Sequence, residues 1–351
     1  MENVENKQTE DNDDTFYPPE VFNVLGDSLG KKYKDKFLNF TKITAEEVTY
    51  IFDILKKLIA KKEGKPVIIS FSNFKGGCGK TTTAVTFSQF LTNLGIKTLL
   101  IDADNMRLAS RMLSLRQKYV NGYIANMTNA NVSIEEINDF KDNIDPICEC
   151  EKGDYGSLIN TINQSIELGR YQVIVLDTPG SKEDAVRNFS IKSIGKSDLP
   201  HSLVAYIADS IVITSQATSF DRTGTINYYV ELESFVNEMM FKKVRNTTLA
   251  YKVLPVRMKT IKEDYAQEFF NILEANGIER FRECFRDSDK FRNSVKDDTI
   301  ETYFTVNNAP QKTIEFKNFV VELFQDLDTA MKKDEYLALK AEAESNTNTG
   351  V

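Results

Sequence analysis

Positive charge, histidine, cysteine and long apolar runs are all scarce in this chain of 351 residues. Its 44 Lys and Arg are outnumbered by 52 Asp and Glu, for a net charge of −8. No basic coat for nucleic acid exists, so any DNA contact has to come from a local patch. The single histidine, His201, excludes a multi-histidine metal site and argues against a Ser–His–Asp hydrolase. Four scattered cysteines and no apolar N-terminal run predict a reduced, cytoplasmic setting. No apolar run reaches the roughly 18 residues that a membrane span needs. What is present is a 41% hydrophobic composition, enough for one large α/β core or two small domains.

The first fourteen residues set Glu2, Glu5, Glu10, Asp11, Asp13 and Asp14 against Lys7 alone, which predicts a disordered acidic tail over 1–14. Thr44 with Glu47 three residues on has the form of a capping box. Behind it Val48, Ile51, Leu55, Leu58 and Ile59 share one helical face, and Lys61, Lys62 and Gly64 suit its end. Residues 15–65 are therefore expected to form a small helical N-terminal extension. From Val67 onward, short apolar runs recur without alternation at 67–69, 98–101, 173–176, 211–213 and 249–254. Such runs predict strands buried on both faces, as in a parallel sheet covered by helices. Helices are expected at 81–93, closed by Gly95, and at 219–241, 263–275 and 313–335. The fold class is α/β, a doubly wound, mostly parallel sheet flanked by helices over 66–335, with a polar, frayed C-terminal tail over 336–351.

Between the first strand and the first helix stands Asn73-Phe74-Lys75-Gly76-Gly77-Cys78-Gly79-Lys80-Thr81-Thr82-Thr83. Its three glycines let the backbone wrap a phosphate chain with amide N–H groups turned inward, at the positive end of the following helix. Lys80 can reach β/γ-phosphates and the Thr81 hydroxyl can ligate Mg²⁺. The ordinary phosphate-loop pattern has Gly at position 74, where this chain has Phe. Two acidic strand ends complete the constellation: Asp102-Ala103-Asp104 and Asp177-Thr178-Pro179-Gly180. Carboxylates there lie in the crevice where parallel sheets bind ligands. Alone, Asp102 would pass for a helix cap; beside Lys80 it reads as part of a Mg²⁺ shell.

The run Lys75 to Thr83, followed by Leu94-Gly95-Ile96-Lys97-Thr98-Leu99-Leu100-Ile101-Asp102-Ala103-Asp104, resembles the ParA/MinD group of deviant Walker ATPases, and most closely ParA-type DNA partition ATPases. The likeness covers about residues 66–330 and includes Asp209-Ser210-Ile211-Val212-Ile213-Thr214. It implies a P-loop NTPase fold, with ATP and Mg²⁺ as cofactors. Gly76, Gly77, Cys78, Gly79, Lys80, Thr81 and Thr82 would hold the nucleotide, and Thr81, Asp102 and Asp177 the metal. Lys75 would be the signature lysine that reaches the nucleotide of a second subunit. With Lys80 and Asp104, the carboxylate that positions water, it would make up the catalytic set. The implied partners are a second copy in the ATP state, non-specific DNA, and a ParB-type centromere-binding adaptor that stimulates slow hydrolysis. The implied location is the nucleoid. The chain departs from the family at Phe74, often Gln, at Asn105-Met106, usually Pro-Gln, and at Val256-Arg257, commonly Asn-Arg.

Residues 279–296 mix six basic with four acidic side chains, by themselves a solvated face. The resemblance turns them into the expected DNA contact, through Arg286, Lys290 and Arg292, with Lys242, Lys243, Arg245 and Lys259 as the fallback. Cys148 and Cys150 have no second pair and no neighbouring histidine, which argues against zinc. The segment around Phe316, Val320, Leu323, Phe324 and Leu327 could be an amphipathic membrane anchor. Its acidic residues Glu315, Glu322, Asp326 and Asp328 would be repelled by anionic lipid, so core packing and no membrane are expected. The alternative functions are a MinD-like or other cargo-positioning ATPase, or a metabolic member such as an amidoligase or reductase component.

Overall fold

The computed structural model describes residues 43–103, 124–126, 162–163, 166–167, 169, 171–180, 189–194, 200–245, 247–258, 264–286 and 309–348. The tail expected over 1–14, and 15–42 of the extension, lie outside them. Six strands form one sheet: β1 (Val67–Ser72), β2 (Thr98–Asp102), β3 (Ile124–Asn126), β4 (Val173–Asp177), β5 (Ser210–Ser215) and β6 (Ala250–Pro255). Their order is β3-β2-β4-β1-β5-β6, parallel throughout except for the short antiparallel edge strand β3.

The unalternating runs have a simple cause. Val67, Ile69 and Phe71 of β1 enter one apolar layer, while Ile68 enters the layer on the opposite face. β2, β4 and β5 split in the same way, Leu100, Val173, Val175 and Val212 on one side, Leu99, Ile101, Ile174, Leu176, Ile211 and Ile213 on the other. Both faces are covered, so apolar side chains stand on both and the runs do not alternate. The first layer is closed by α1 (Ala45–Lys61), α2 (Lys80–Asn93) and α6 (Ala309–Asn348). The second is closed by α3 (Pro200–Ile207), α4 (Ser219–Phe241) and α5 (Asp264–Ala275). The outer edge of β6 is covered by the segment after α5. Val253 N–H donates to Glu279 O, Phe281 N–H to Val253 O and Phe285 N–H to Pro255 O, each at 2.9 Å. That leaves this edge no free template for pairing.

The capping box at Thr44 is present: Glu47 N–H donates to Thr44 Oγ1 at 3.2 Å and Thr44 N–H to Glu47 Oε2 at 3.0 Å. Gly95 closes α2 at φ +93, where a side chain would be strained. Two expectations about the ends of the fold change. The helical part of 15–65 is not set apart from the main domain: Val48, Ile51, Leu55 and Leu58 share a core with Phe316, Phe319 and Leu323 of α6. Polar ties run along the same seam. Glu47 pairs with Lys317, Gln325 Nε2 donates to Tyr50 Oη at 2.8 Å, and Lys61 Nζ lies 3.3 Å from both Asp328 and Glu335. The polar stretch predicted to fray over 336–351 is helical to Asn348. Apolar periodicity ends near Met331, but the Ala, Glu, Lys and Leu that follow are strong helix formers. Glu315, assigned to a polar face, is buried beneath Arg286.

Candidate phosphate-binding site

β1 runs up the middle of the sheet and releases the loop 73–79 at its C-terminal end, between β4 and β5. Each residue of the loop has an identifiable hold. Asn73 is buried, and its Nδ2 donates to Thr214 O at 2.8 Å and to Thr225 Oγ1 at 3.1 Å. Its Oδ1 accepts the Lys75 N–H at 3.2 Å, which fixes the first turn. Phe74 packs edge-on against His201 and Tyr228, with ring centroids 5.3 and 4.7 Å away. That packing accounts for an aromatic where the ordinary loop has Gly: the ring anchors the loop to α3 and α4. Gln216 Nε2 donates to Gly77 O at 2.7 Å from the end of β5. Cys78 is buried, with Sγ 3.2 Å from Lys75 O.

Gly77 and Gly79 take φ of +78 and +92, the left-handed region that glycine enters without cost. A Cβ on Gly76 or Gly77 would meet no atom within 4 Å, so the loop is open there. At Gly79 the same atom would stand 3.1 Å from Val256 Cγ2, which seats the loop against the end of β6. Lys80 begins α2, is 6% exposed, and donates from Nζ to Lys75 O at 2.8 Å. Its ammonium therefore lies across the loop mouth. Thr81 and Thr82 follow in the first turn, Thr81 buried and Thr82 half-buried.

The two acidic strand ends are brought together: Asp102 and Asp177 are register partners on β2 and β4, and both are buried. Asp104 lies outside the described residues. Carboxylate and hydroxyl oxygens of the Asp102, Asp177 and Thr81 type are the hard donors that Mg²⁺ takes. Gly180 closes the arrangement from the β4 side. A Cβ there would stand 3.1 Å from Phe74 O and 3.3 Å from Gly76 N. Gly180→Ala is expected to push the loop backbone and weaken nucleotide binding by about 1 kcal/mol, roughly fivefold in Kd. Titration with a fluorescent nucleotide checks this; unchanged affinity at unchanged Tm would show that the loop yields.

Lys75 turns away from the cradle that Lys80 covers. Its Nζ pairs at 2.7 Å with Asp221 Oδ1, on the first turn of α4, where Thr218 caps the helix. Asp221 is 5% exposed. Sequence reasoning missed Asp221, Asn73, Gln216 and Thr225; only the Thr218/Asp221 spacing, a helix-cap pattern, could have drawn attention to one of them. His201, in the first turn of α3, is 1% exposed and packs against Phe74 of the loop. Burial, with the Lys80 charge nearby, lowers its pKa to about 3, so the ring stays neutral at physiological pH.

The expected DNA patch is only partly described. Arg286 lies at the outer edge of β6, bridged to Met258, with Nε 3.7 Å from Glu315 Oε1. Lys290 and Arg292 lie outside the described residues. In the fallback group, Arg245 is buried and donates to Ala205 O and Tyr206 O at 2.9 and 2.7 Å, so it offers no charge to a ligand.

A family profile described as an AAA domain matches residues 66–149, the stretch that contains β1, the glycine loop, α2 and the Asp102 strand end. The matched stretch is less than half of the chain. The iron-sulfur cluster carrier protein of Bacillus subtilis is 26% identical over 207 residues, 56% of this chain and 58% of that protein. The chain thus spans less than two thirds of that relative's length. Solved structures of similar shape include MinD cell division protein of Aquifex aeolicus, at 18% identity, with TM-score 0.47 over 73% of this chain and 97% of that one. A plasmid partition protein of Borrelia burgdorferi gives 18%, 0.45, 74% and 98%. Among the described residues no helix is long and apolar enough to cross a membrane.

Proposed function

We propose that this chain is a partition-type P-loop ATPase that binds ATP and Mg²⁺ at the 73–82 loop, pairs with a second copy in the ATP state, and then holds DNA without sequence preference. One observation carries the reading: two lysines leave the same loop in different directions, Lys80 across its own cradle and Lys75 out to the first turn of α4. A cradle needs one lysine for its own β/γ-phosphates. The second has its use on a nucleotide held by another subunit.

The residues fit the groups they would hold. Gly76 and Gly77 leave their surroundings open, their amides would serve a phosphate chain, and the start of α2 adds its positive end. Thr81, Asp102 and Asp177 would hold Mg²⁺, which when bound neutralises phosphate charge. Lys80 is already desolvated and oriented, so little order is lost when its ammonium turns from Lys75 O to a phosphate oxygen. Asp104, two residues beyond the Asp102 strand end, would orient the attacking water. A ParB-type adaptor would stimulate hydrolysis and release DNA.

A gel shift on generic duplex DNA with ATP, ADP or no nucleotide tests the reading. Binding is expected with ATP alone, weakening steeply between about 50 and 200 mM salt as phosphate contacts release counterions. Because Arg286 is held by Glu315, the contact rests on its neighbours. Lys290→Glu with Arg292→Glu should abolish the shift and leave nucleotide binding intact. Salt-insensitive binding, or a full shift by the double variant, would remove the patch. MinD-like or other cargo positioning is the second reading; co-sedimentation with anionic liposomes separates the membrane version.

A further inference from the structure

We infer that His201, as the neutral Nδ1–H tautomer, is a positioning residue that locks the phosphate loop to the Asp177 strand end through a relay of two hydroxyls, Ser72 and Thr178. The inference rests on the nucleotide-site reading above. The relay can be read proton by proton. Thr178, the residue after Asp177, donates its one hydroxyl proton to Phe71 O at 2.8 Å. The Ser72 and Thr178 hydroxyls are 2.8 Å apart, and since the Thr178 proton is spent, Ser72 is the donor. Ser72 Oγ then has only lone pairs to offer His201 Nδ1, 3.4 Å away. That contact is attractive only if Nδ1 carries the proton.

The three side chains belong to three elements that meet at the site. Ser72 is the last residue of β1, directly before the loop. Thr178 directly follows Asp177, and His201 stands in the first turn of α3. All three are buried. The neighbouring Ser202 Oγ accepts the Ser190 N–H at 2.8 Å, so α3 also holds the chain that returns from the Asp177 side. Phe74, Phe189 and Tyr228 surround the imidazole with centroids 5.3, 6.0 and 5.5 Å away, which fixes the ring plane. A side chain this constrained sets where its partners sit, and partners at one remove from a metal or phosphate site commonly change activity 10–100-fold.

Because His201 is the chain's one histidine, its ring can be observed alone. In protein labelled with ¹⁵N-histidine, the ring nitrogens are expected to show the neutral Nδ1–H pattern with and without Mg²⁺ and a non-hydrolysable ATP analogue. An Nε2–H or imidazolium pattern would overturn the relay. His201→Phe should lower kcat for ATP hydrolysis roughly tenfold with KM little changed. His201→Asn, whose amide N–H can stand at the Nδ1 position, should recover most of the loss. Ser72→Ala should cost a similar factor and add nothing to His201→Phe, since both cut one chain. Full activity in a folded His201→Phe, or additive losses, would also overturn it. If the wild type neither binds nor hydrolyses ATP, the nucleotide reading fails; the tautomer and the coupling of Ser72 to His201 in thermal stability still decide the relay.

Discussion

Lys80→Ala is expected to bind ATP at least a hundredfold more weakly than the wild type, with far-UV circular dichroism and Tm nearly unchanged. The Lys80 ammonium is almost fully buried and donates to the Lys75 carbonyl across the mouth of the glycine loop. A triphosphate would lose its nearest cation in a place where water cannot substitute, which costs binding roughly 2–5 kcal/mol. The fold should tolerate the change, because the loop is held independently by Asn73 on Thr214 and Thr225, by Phe74 in its aromatic cluster, and by Gln216 on Gly77. Isothermal titration with ATP and Mg²⁺ gives the answer directly. Wild-type affinity would take Lys80 out of the role.

The parts of this site that could be read in the sequence are those in which one local rule dictates residue type. Glycines at positive φ, a lysine at a helix start and carboxylates at strand ends are legible because neighbours along the chain impose them. The central strands are legible for the same reason, each being apolar on both faces. Phe74 was visible only as a departure. Its purpose depends on His201 and Tyr228, more than 120 residues further on, and no local pattern announces a ring cluster of that kind. Asp221 likewise reads as an ordinary helix cap until β5 and α4 deliver it to Lys75.

The ends of the chain show the same limit. The apolar face of α1 is plain in Val48, Ile51, Leu55 and Leu58, but what covers it is α6, joined only by the complete fold. A periodic helix ahead of the first strand therefore looked like an extension when it is part of the first core layer. α6 reversed the error: its interior was legible from Phe316 to Leu327, while its far end carries no apolar periodicity, only the helix-forming residues that keep it helical to Asn348.

The other large effect concerns Lys75, and it turns on Asp221. In this chain the Lys75 ammonium and the Asp221 carboxylate are 2.7 Å apart, and Asp221 also accepts from the Thr218 hydroxyl in the helix cap. If Lys75 serves a second subunit's nucleotide, it must first leave a largely buried carboxylate, and the pair opposes dimerisation by whatever that separation costs. Lys75→Ala should then bind ATP normally yet sediment as a monomer with a non-hydrolysable analogue. Asp221→Asn keeps the side-chain shape while removing the charge that holds Lys75 at home. It should therefore dimerise at a protein concentration about tenfold lower than the wild type, a shift of about 1.4 kcal/mol. The opposite signs of the two variants make the test sharp, since a merely structural ion pair would weaken dimerisation in both. Sedimentation velocity across a protein titration, with ATP analogue and with ADP, measures each. Normal dimers from Lys75→Ala would end the assignment of Lys75 to the partner, and weaker dimers from Asp221→Asn would show that the carboxylate supports the assembly.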